Sequence, residues 1–422
     1  MDFTGLILND LLDKFERSAH FHGTARVNRR ICFHFNQQTL PDYLTGERPG
    51  FKEALHQAVR DLEKRSLLCV EWVPGEKNNL LKKACLNLEK TGEAYALIGR
   101  VSRHAELNEI SAMLEEAGQG LHTPWIAAFL ANCCAAIAET ASLPACLPPE
   151  KEEIGLLLAA LRGLEHKGEA EMLERVFSIK YLGGSKLFNH KVKSGLVAAA
   201  RSCCFKDLEL SGEDVLNELG IVKTTEELLL AGPLSAAIKG RTVDLAPLAF
   251  GTVIDTQAGG ALQIAGLKAS QVLLVENKTN YHYLVRRGLP ENLLLIYLGG
   301  FPGPQKRRFL AALHDFCREN ALPVDFLHWG DIDWGGIRIH QLLKEQALPA
   351  LQPLYMDRET LLAYRGMAES FGPSYRARLL KLRHSPRYAA FHDLIGLMLE
   401  LNLRLEQEAL LAAGNFTLHP AL

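Results

Sequence analysis

The stretch HWGDIDWGGIRI, residues 328–339, decides how the C-terminal part of this chain is read. The apolar run VDFL precedes it, and GGIRIHQLLKEQ continues it with helical spacing, so it joins a strand to a helix. Inside it, Asp331 and Asp333 flank one isoleucine. Burying an uncompensated charge is costly, so two carboxylates in so apolar a segment need a physical reason. At i and i+2 they face the same way on a strand, with Ile332 turned back toward the core. Gly335 and Gly336 are expected to make a tight turn into the helix.

Upstream, QVLLVE (271–276) and LLLIYLGG (293–300) are short continuous apolar runs, as expected for strands buried on both faces. YHYLVRRGL and PQKRRFLAALHDFCREN read as the helices between the strands. Strands alternating with helices predict an α/β fold with a parallel sheet. In such a sheet, ligands bind outside the carboxyl ends of the strands. Glu276 ends the first strand, Gly299 and Gly300 the second, and Asp331 and Asp333 the third. Three carboxylates on one rim repel one another unless a hard cation offsets them. An oxygen-only donor set suits Mg2+ or Mn2+.

The rest of the chain reads more plainly. Its 422 residues predict two to four domains at roughly 100–200 residues each. Lys and Arg number 47 against 49 Asp and Glu, so a basic surface for nucleic acid must be local. Residues 4–18 have helical spacing. RVNRRICFHF reads as a basic strand, FKEALHQAVRDLEKRSL as a helix, and SLLCVEWVPGEKNNLLKKACLNLE as a hairpin around Pro74-Gly75. Helix followed by a two-stranded wing predicts a winged helix. Residues 105–140 and 153–176 read as helical, with a Pro-rich boundary at 142–153. SIKYLGGSKLF reads as strand and turn, GEDVLNELGI as a helix, and TTEELLLAGPL as a short connection. A second boundary falls within 240–270, and FHDLIGLMLELNLRLEQEALL reads as one long helix.

Nine cysteines without a CxxC pair argue against a disulfide framework or zinc knuckle and predict a reducing, cytoplasmic setting. No basic n-region precedes the first apolar residues, and WIAAFLANCCAAIA is shorter than the roughly 20 residues of a membrane span, so neither secretion nor a membrane is expected. No GxxxxGK[ST] motif occurs, which predicts no ATP binding by this chain. His20 and His22 share a strand face but have no third ligand nearby. SYRARLLKLRHSPR, residues 374–387, has five Lys/Arg and no acid, which makes Arg376, Lys381 and Arg383 candidate phosphate contacts.

The order Glu, glycine loop, Asp-x-Asp-x-x-Gly resembles the Toprim domain, a Rossmann-like parallel sheet flanked by helices. YLGGFPGPQKRRFL followed by GDIDWGGIRI is similar to topoisomerase VI A subunits. Val275-Glu276-Asn277, Asn280, Trp329 to Asp333, Gly336, Ile339 and Arg404 to Glu408 resemble the JetD family, the nuclease subunits of Wadjet systems. The resemblance covers roughly residues 170–415. With the helix-and-wing pattern of the N-terminal residues, the expected domains are a winged-helix-like and helical arm domain at 1–145, a CAP/winged-helix-like DNA-binding domain at 150–265, and, as the resemblance implies, a Toprim catalytic domain at 268–422. The resemblance also implies that Glu276, Asp331 and Asp333 hold the catalytic metal, with Glu276 able to act as general acid or base. Lys278, Asn280, Gly299, Gly300 and Arg308 would then lie near DNA. The implied partners are duplex plasmid DNA, an SMC-like ATPase complex and a second copy of the chain. Topoisomerase VI A subunits cut with a tyrosine beside an arginine pair. Here Arg29-Arg30 is followed by Ile31-Cys32-Phe33, so hydrolysis by activated water replaces tyrosine transesterification in this reading. The other alternative is a DNA-binding adaptor whose Toprim domain has lost catalysis.

Overall fold

A computed structural model describes residues 1–27, 29–45, 48–205, 210–255, 262–413 and 418. It is a mixed α/β protein that divides into two compact units, residues 1–166 with 189–208, and residues 167–188 with 209–422.

In the first unit, strands Cys32–His34, Leu68–Trp72 and Leu81–Leu86 form an antiparallel sheet with the third strand in the middle. Helices Phe3–Glu16 and Phe51–Lys64 bury Ile7, Leu8, Leu11, Leu55, Val59 and Leu62 against its inner residues Phe33, Leu68, Ala84 and Leu86. Helix, strand and hairpin thus follow the expected order. The RVNRR stretch includes Asn28, which lies outside the described residues. Cys32 and Cys85 are cross-strand register partners and are joined by a disulfide. That corrects the expectation of unpaired thiols at this pair. The partners lie 53 residues apart, and only the strand register reveals them. His20 and His22 turn to different carbonyls, those of Arg29 and Thr140. Helices Arg103–Gly118, Pro124–Thr140, Lys151–Lys167 and Lys193–Cys203 complete the unit.

The second unit is built on a six-stranded sheet. Its strands are β1 (Glu227–Ala231), β2 (Thr252–Asp255), β3 (Gln271–Val275), β4 (Leu293–Tyr297), β5 (Asp325–Trp329) and β6 (Gln352–Pro353), in the order β6-β5-β3-β4-β1-β2. β6, β5, β3 and β4 are parallel; β1 and β2 are antiparallel. The expected parallel sheet is therefore a mixed one. TTEELLLAGPL contributes a strand rather than a connection: Leu228 to Ala231 are buried and pair with β4 on one side and β2 on the other. Residues on both sides of the boundary drawn near 265–268 thus share one sheet.

Alternation along the strands sorts their side chains into two cores. Leu273, Val275, Leu293 and Leu295 pack with Tyr281, Leu284 and Val285 of α1 (Lys278–Arg287). Val272, Leu274, Leu294 and Ile296 pack with Leu310 and Leu313 of α2 (Pro304–Glu319) and Ile339 and Leu343 of α3 (Trp334–Gln346). From β3 the chain passes through α1 to β4 on one side, then through α2 to β5 on the other. The carboxyl ends of β3 and β5 therefore flank a topological switch point, where open α/β sheets bind ligands.

A strand-and-turn expectation and a helical one are corrected. SIKYLGGSKLF begins in a helix, Glu174–Leu182, which Gly183 ends in the left-handed region (φ 79°). Its Phe177 and Leu182 are buried on helical rather than strand spacing. The long final helix is broken. α4 (Pro373–His384) precedes α5 (His392–Leu401), which stops at Asn402 with φ 57°. Leu403–Arg404 then pairs with Glu369–Ser370, Leu405 bridges Ile332, and helix resumes only at Glu408–Ala412. No helix among the described residues is long and apolar enough to cross a membrane.

Candidate active site

Glu276, Asp331 and Asp333 come together where β3 and β5 end. β5 stops at Trp329, so the aspartates stand beyond it rather than on it. Gly330 carries the turn: a Cβ there would lie 2.8 Å from Glu276 Oε2 and 2.8 Å from the buried His328 ring. The Asp331 N–H donates to Glu276 Oε2 at 3.3 Å. Ile332 is buried, as its place between the acids requires. Asp333 is the N-cap of α3, its Oδ1 accepting from Gly336 N–H at 2.7 Å. Such a cap satisfies one of the free donors of the first helical turn. Gly335 and Gly336 lie inside that turn. The reason for Gly336 is close packing rather than the expected tight turn: a Cβ would lie 2.2 Å from the Asp331 carbonyl oxygen.

The three acids are desolvated together. Burial pushes Glu276 up to about 8, and the neighbouring Asp331 and Asp333 add to the shift. Burial likewise raises Asp331 to about 7, against the opposing Gln407 N–H. Asp333 is raised by burial and drawn back by its cap bonds. Among the described residues, no group of three or more His, Cys, Asp or Glu side chains converges closely enough, as placed, to hold a metal ion.

Residues that the sequence had set aside enter here. The break after α5 carries Gln407 and Glu408 to the acids. Asp331 Oδ1 accepts from Gln407 N–H at 2.7 Å and from Asn277 Nδ2 at 3.2 Å. Asn277 Nδ2 also donates to Glu408 Oε2 at 2.9 Å. The RLEQE segment was therefore a usable signal, missed because a continuous helix would have carried it away. Trp334 donates its N–H to Tyr375 Oη at 2.7 Å, and the Arg338 guanidinium stacks 4.0 Å from the Trp334 ring centre.

The expected DNA contacts scatter. Lys278, the first residue of α1, is exposed beside Glu276. It lines a cleft of about 460 Å³ together with Glu226, Tyr297, Gly299 and Lys306. Gly299 and Gly300 both have positive φ, 76° and 81°, and Gly299 gives its N–H to the Glu276 carbonyl at 3.2 Å. Asn280 is fully buried and its amide donates to the Gln407 carbonyl at 3.2 Å, so it supports the site from inside rather than facing a phosphate. Arg308 pairs with Glu169 at 3.0 Å on the exposed side of α2. Arg376 donates to the Leu399 carbonyl at 2.6 Å and Arg383 to that of His392 at 3.0 Å, tying α4 to α5. Lys381 is exposed on α4.

Residues 229–414, which contain most of the sheet and all three acids, match the family model for the C-terminal part of Wadjet protein JetD. Over 416 residues the chain is 26% identical to Wadjet protein JetD of Bacillus cereus strain Q1, covering 97% of this chain and 99% of the relative. Over 159 residues it is 28% identical to the type 2 DNA topoisomerase 6 A subunit of Haloarcula marismortui, covering 35% of this chain and 42% of that one. The chain is thus similar to Wadjet protein JetD along nearly its whole length and to the topoisomerase over a shorter stretch.

Proposed function

We propose that the chain is a metal-dependent DNA endonuclease of the JetD type, with a Toprim domain that hydrolyses phosphodiesters of duplex DNA. The observation that carries this reading is the burial of three neighbouring carboxylates, Glu276, Asp331 and Asp333, near the switch point of the sheet, each close enough to another to raise it. Such a cluster is costly by itself, and a hard divalent cation offsets it. The donor set, oxygen only, suits Mg2+ or Mn2+. The bonds named for Asp331 fall on Oδ1, which leaves its Oδ2 to a cation. When bound, the metal supplies activation of the attacking water and charge stabilisation at the leaving oxygen. Without the cation, burial holds Glu276 up at about 8, so cation binding would release its proton. Lys278 at the rim of the cleft offers an ammonium group to a phosphate.

The proposal extends to a role in Wadjet-type defence against plasmids, with an SMC-like ATPase complex and a second copy of the chain as partners. The similarity to Wadjet protein JetD supports that part. One observation favours the inactive-adaptor reading instead: the acids do not converge as placed. Incubation of plasmid with the protein, its partner complex and Mn2+ separates the two. Nicking or linearisation that Asp331→Ala abolishes is expected. DNA binding without any cutting, with all partners present, supports the adaptor. Protein left covalently on DNA ends after denaturation would instead reveal a transesterase.

A further inference from the structure

β3 and β5 run parallel with Val275 opposite Trp329. The last rung of their ladder is the Glu276 N–H donating to the Trp329 carbonyl at 3.2 Å. Beyond it, the next donor on the β3 side, Asn277 N–H, gives its hydrogen to Gln407 Oε1 at 3.0 Å. On the β5 side, the Trp329 carbonyl takes a second hydrogen from Gln407 Nε2. The side-chain amide of Gln407 is therefore an extra rung between the two chain ends. Its main chain is used as well: the N–H donates to Asp331 Oδ1 at 2.7 Å, and the carbonyl accepts from buried Asn280 at 3.2 Å. Only 1% of Gln407 is exposed. One residue thus grips Asn277, which adjoins Glu276, as well as Trp329 and Asp331.

We infer that Gln407 is a positioning residue that sets the separation of Glu276 from Asp331. This rests on the reading of the acids as a cation site. The role needs an amide of this length. Glutamate cannot donate to the Trp329 carbonyl. Methionine, of similar length, leaves the Asn277 N–H unpaired in a buried place, which is costly. Asparagine keeps the amide but is one methylene short.

The test is calorimetric titration of the 422-residue chain with Mn2+, for the wild type, Gln407→Met and Gln407→Asn, together with kcat and KM for plasmid in the presence of the partner complex. Both variants are expected to lose Mn2+ affinity by about 10–100-fold, as when groups that orient metal ligands are removed. They are expected to lose kcat while KM for DNA stays within about twofold, since Gln407 is buried and offers DNA no surface. Circular dichroism and a cooperative melt establish that a variant is folded. Wild-type Mn2+ affinity and kcat in a folded variant overturn the assignment. No Mn2+ binding by the wild type sinks the cation-site reading and the assignment with it; equal binding by all three sinks the positioning role alone. If Gln407→Met prevents folding, the asparagine variant decides. If neither variant folds, Gln407 holds the fold rather than the site, and the assignment fails.

Discussion

At the scale of single residues, the acids of the rim were legible and their helpers were not. Glu276, Asp331 and Asp333 stand out because carboxylates are rare at the ends of apolar runs. Gln407 and Glu408 are ordinary polar residues until the helix break after α5 brings them to Asp331 and Asn277. Asn280 shows the opposite error: a polar residue near an acid motif reads as a ligand contact, yet it is fully buried and structural. The raised acids have a consequence for stability. Glu276 at about 8 and Asp331 at about 7 lie above their ordinary values of about 4. Between those limits the folded, metal-free chain holds more protons than the unfolded one. The stabilisation is complete below about pH 4 and is lost as pH rises through the folded values. His328 and His340, lowered by burial, oppose this only below the ordinary histidine range. The melting temperature of the metal-free protein should therefore fall by about 3 °C between pH 6.8 and 8.5. Glu276→Gln should remove most of that fall; a variant with the wild-type slope would contradict it.

At the scale of elements, continuous apolar runs identified β3, β4 and β5 and their helices, because strands buried on both faces leave little else to form. Where propensity and context disagree, the reading slipped. The segment before Gly183 is rich in β-prone residues but is a helix capped by a left-handed glycine. The final helix has an apolar period that runs through Asn402 without interruption, and a left-handed asparagine ends it. Asn402 also donates its side-chain amide to the Phe371 carbonyl at 3.0 Å. That break delivers RLEQE to the acids. Asn402→Val forces a β-branched residue to φ 57° and should cost at least about 1 kcal/mol more than Asn402→Gly in urea unfolding. Equal stability of the two variants would show that the left-handed turn is not what stops α5.

At the scale of the whole molecule, the α/β class was legible and the extent of the sheet was not. Strands β1 and β2 lie upstream of the boundary drawn near 265–268, and long-range pairing leaves no local signature. Both belong to the sheet that carries the acids, with β1 covering the edge of β4. A fragment of residues 268–422 exposes that edge and loses part of both cores, so it should show no cooperative calorimetric transition. A fragment of residues 167–422, which keeps the six strands, should show one. Cooperative melting of the shorter fragment would mean that β1 and β2 are dispensable. The central claim, that the rim of β3 and β5 is one cation site, is tested most directly by Mn2+ titration at pH 7 in buffers of different ionisation heat. Cation binding to acids raised to about 8 and about 7 must displace protons. The account predicts saturable binding with buffer-dependent proton release, both lost in Asp331→Ala. Binding without proton release, or unchanged in that variant, would contradict it.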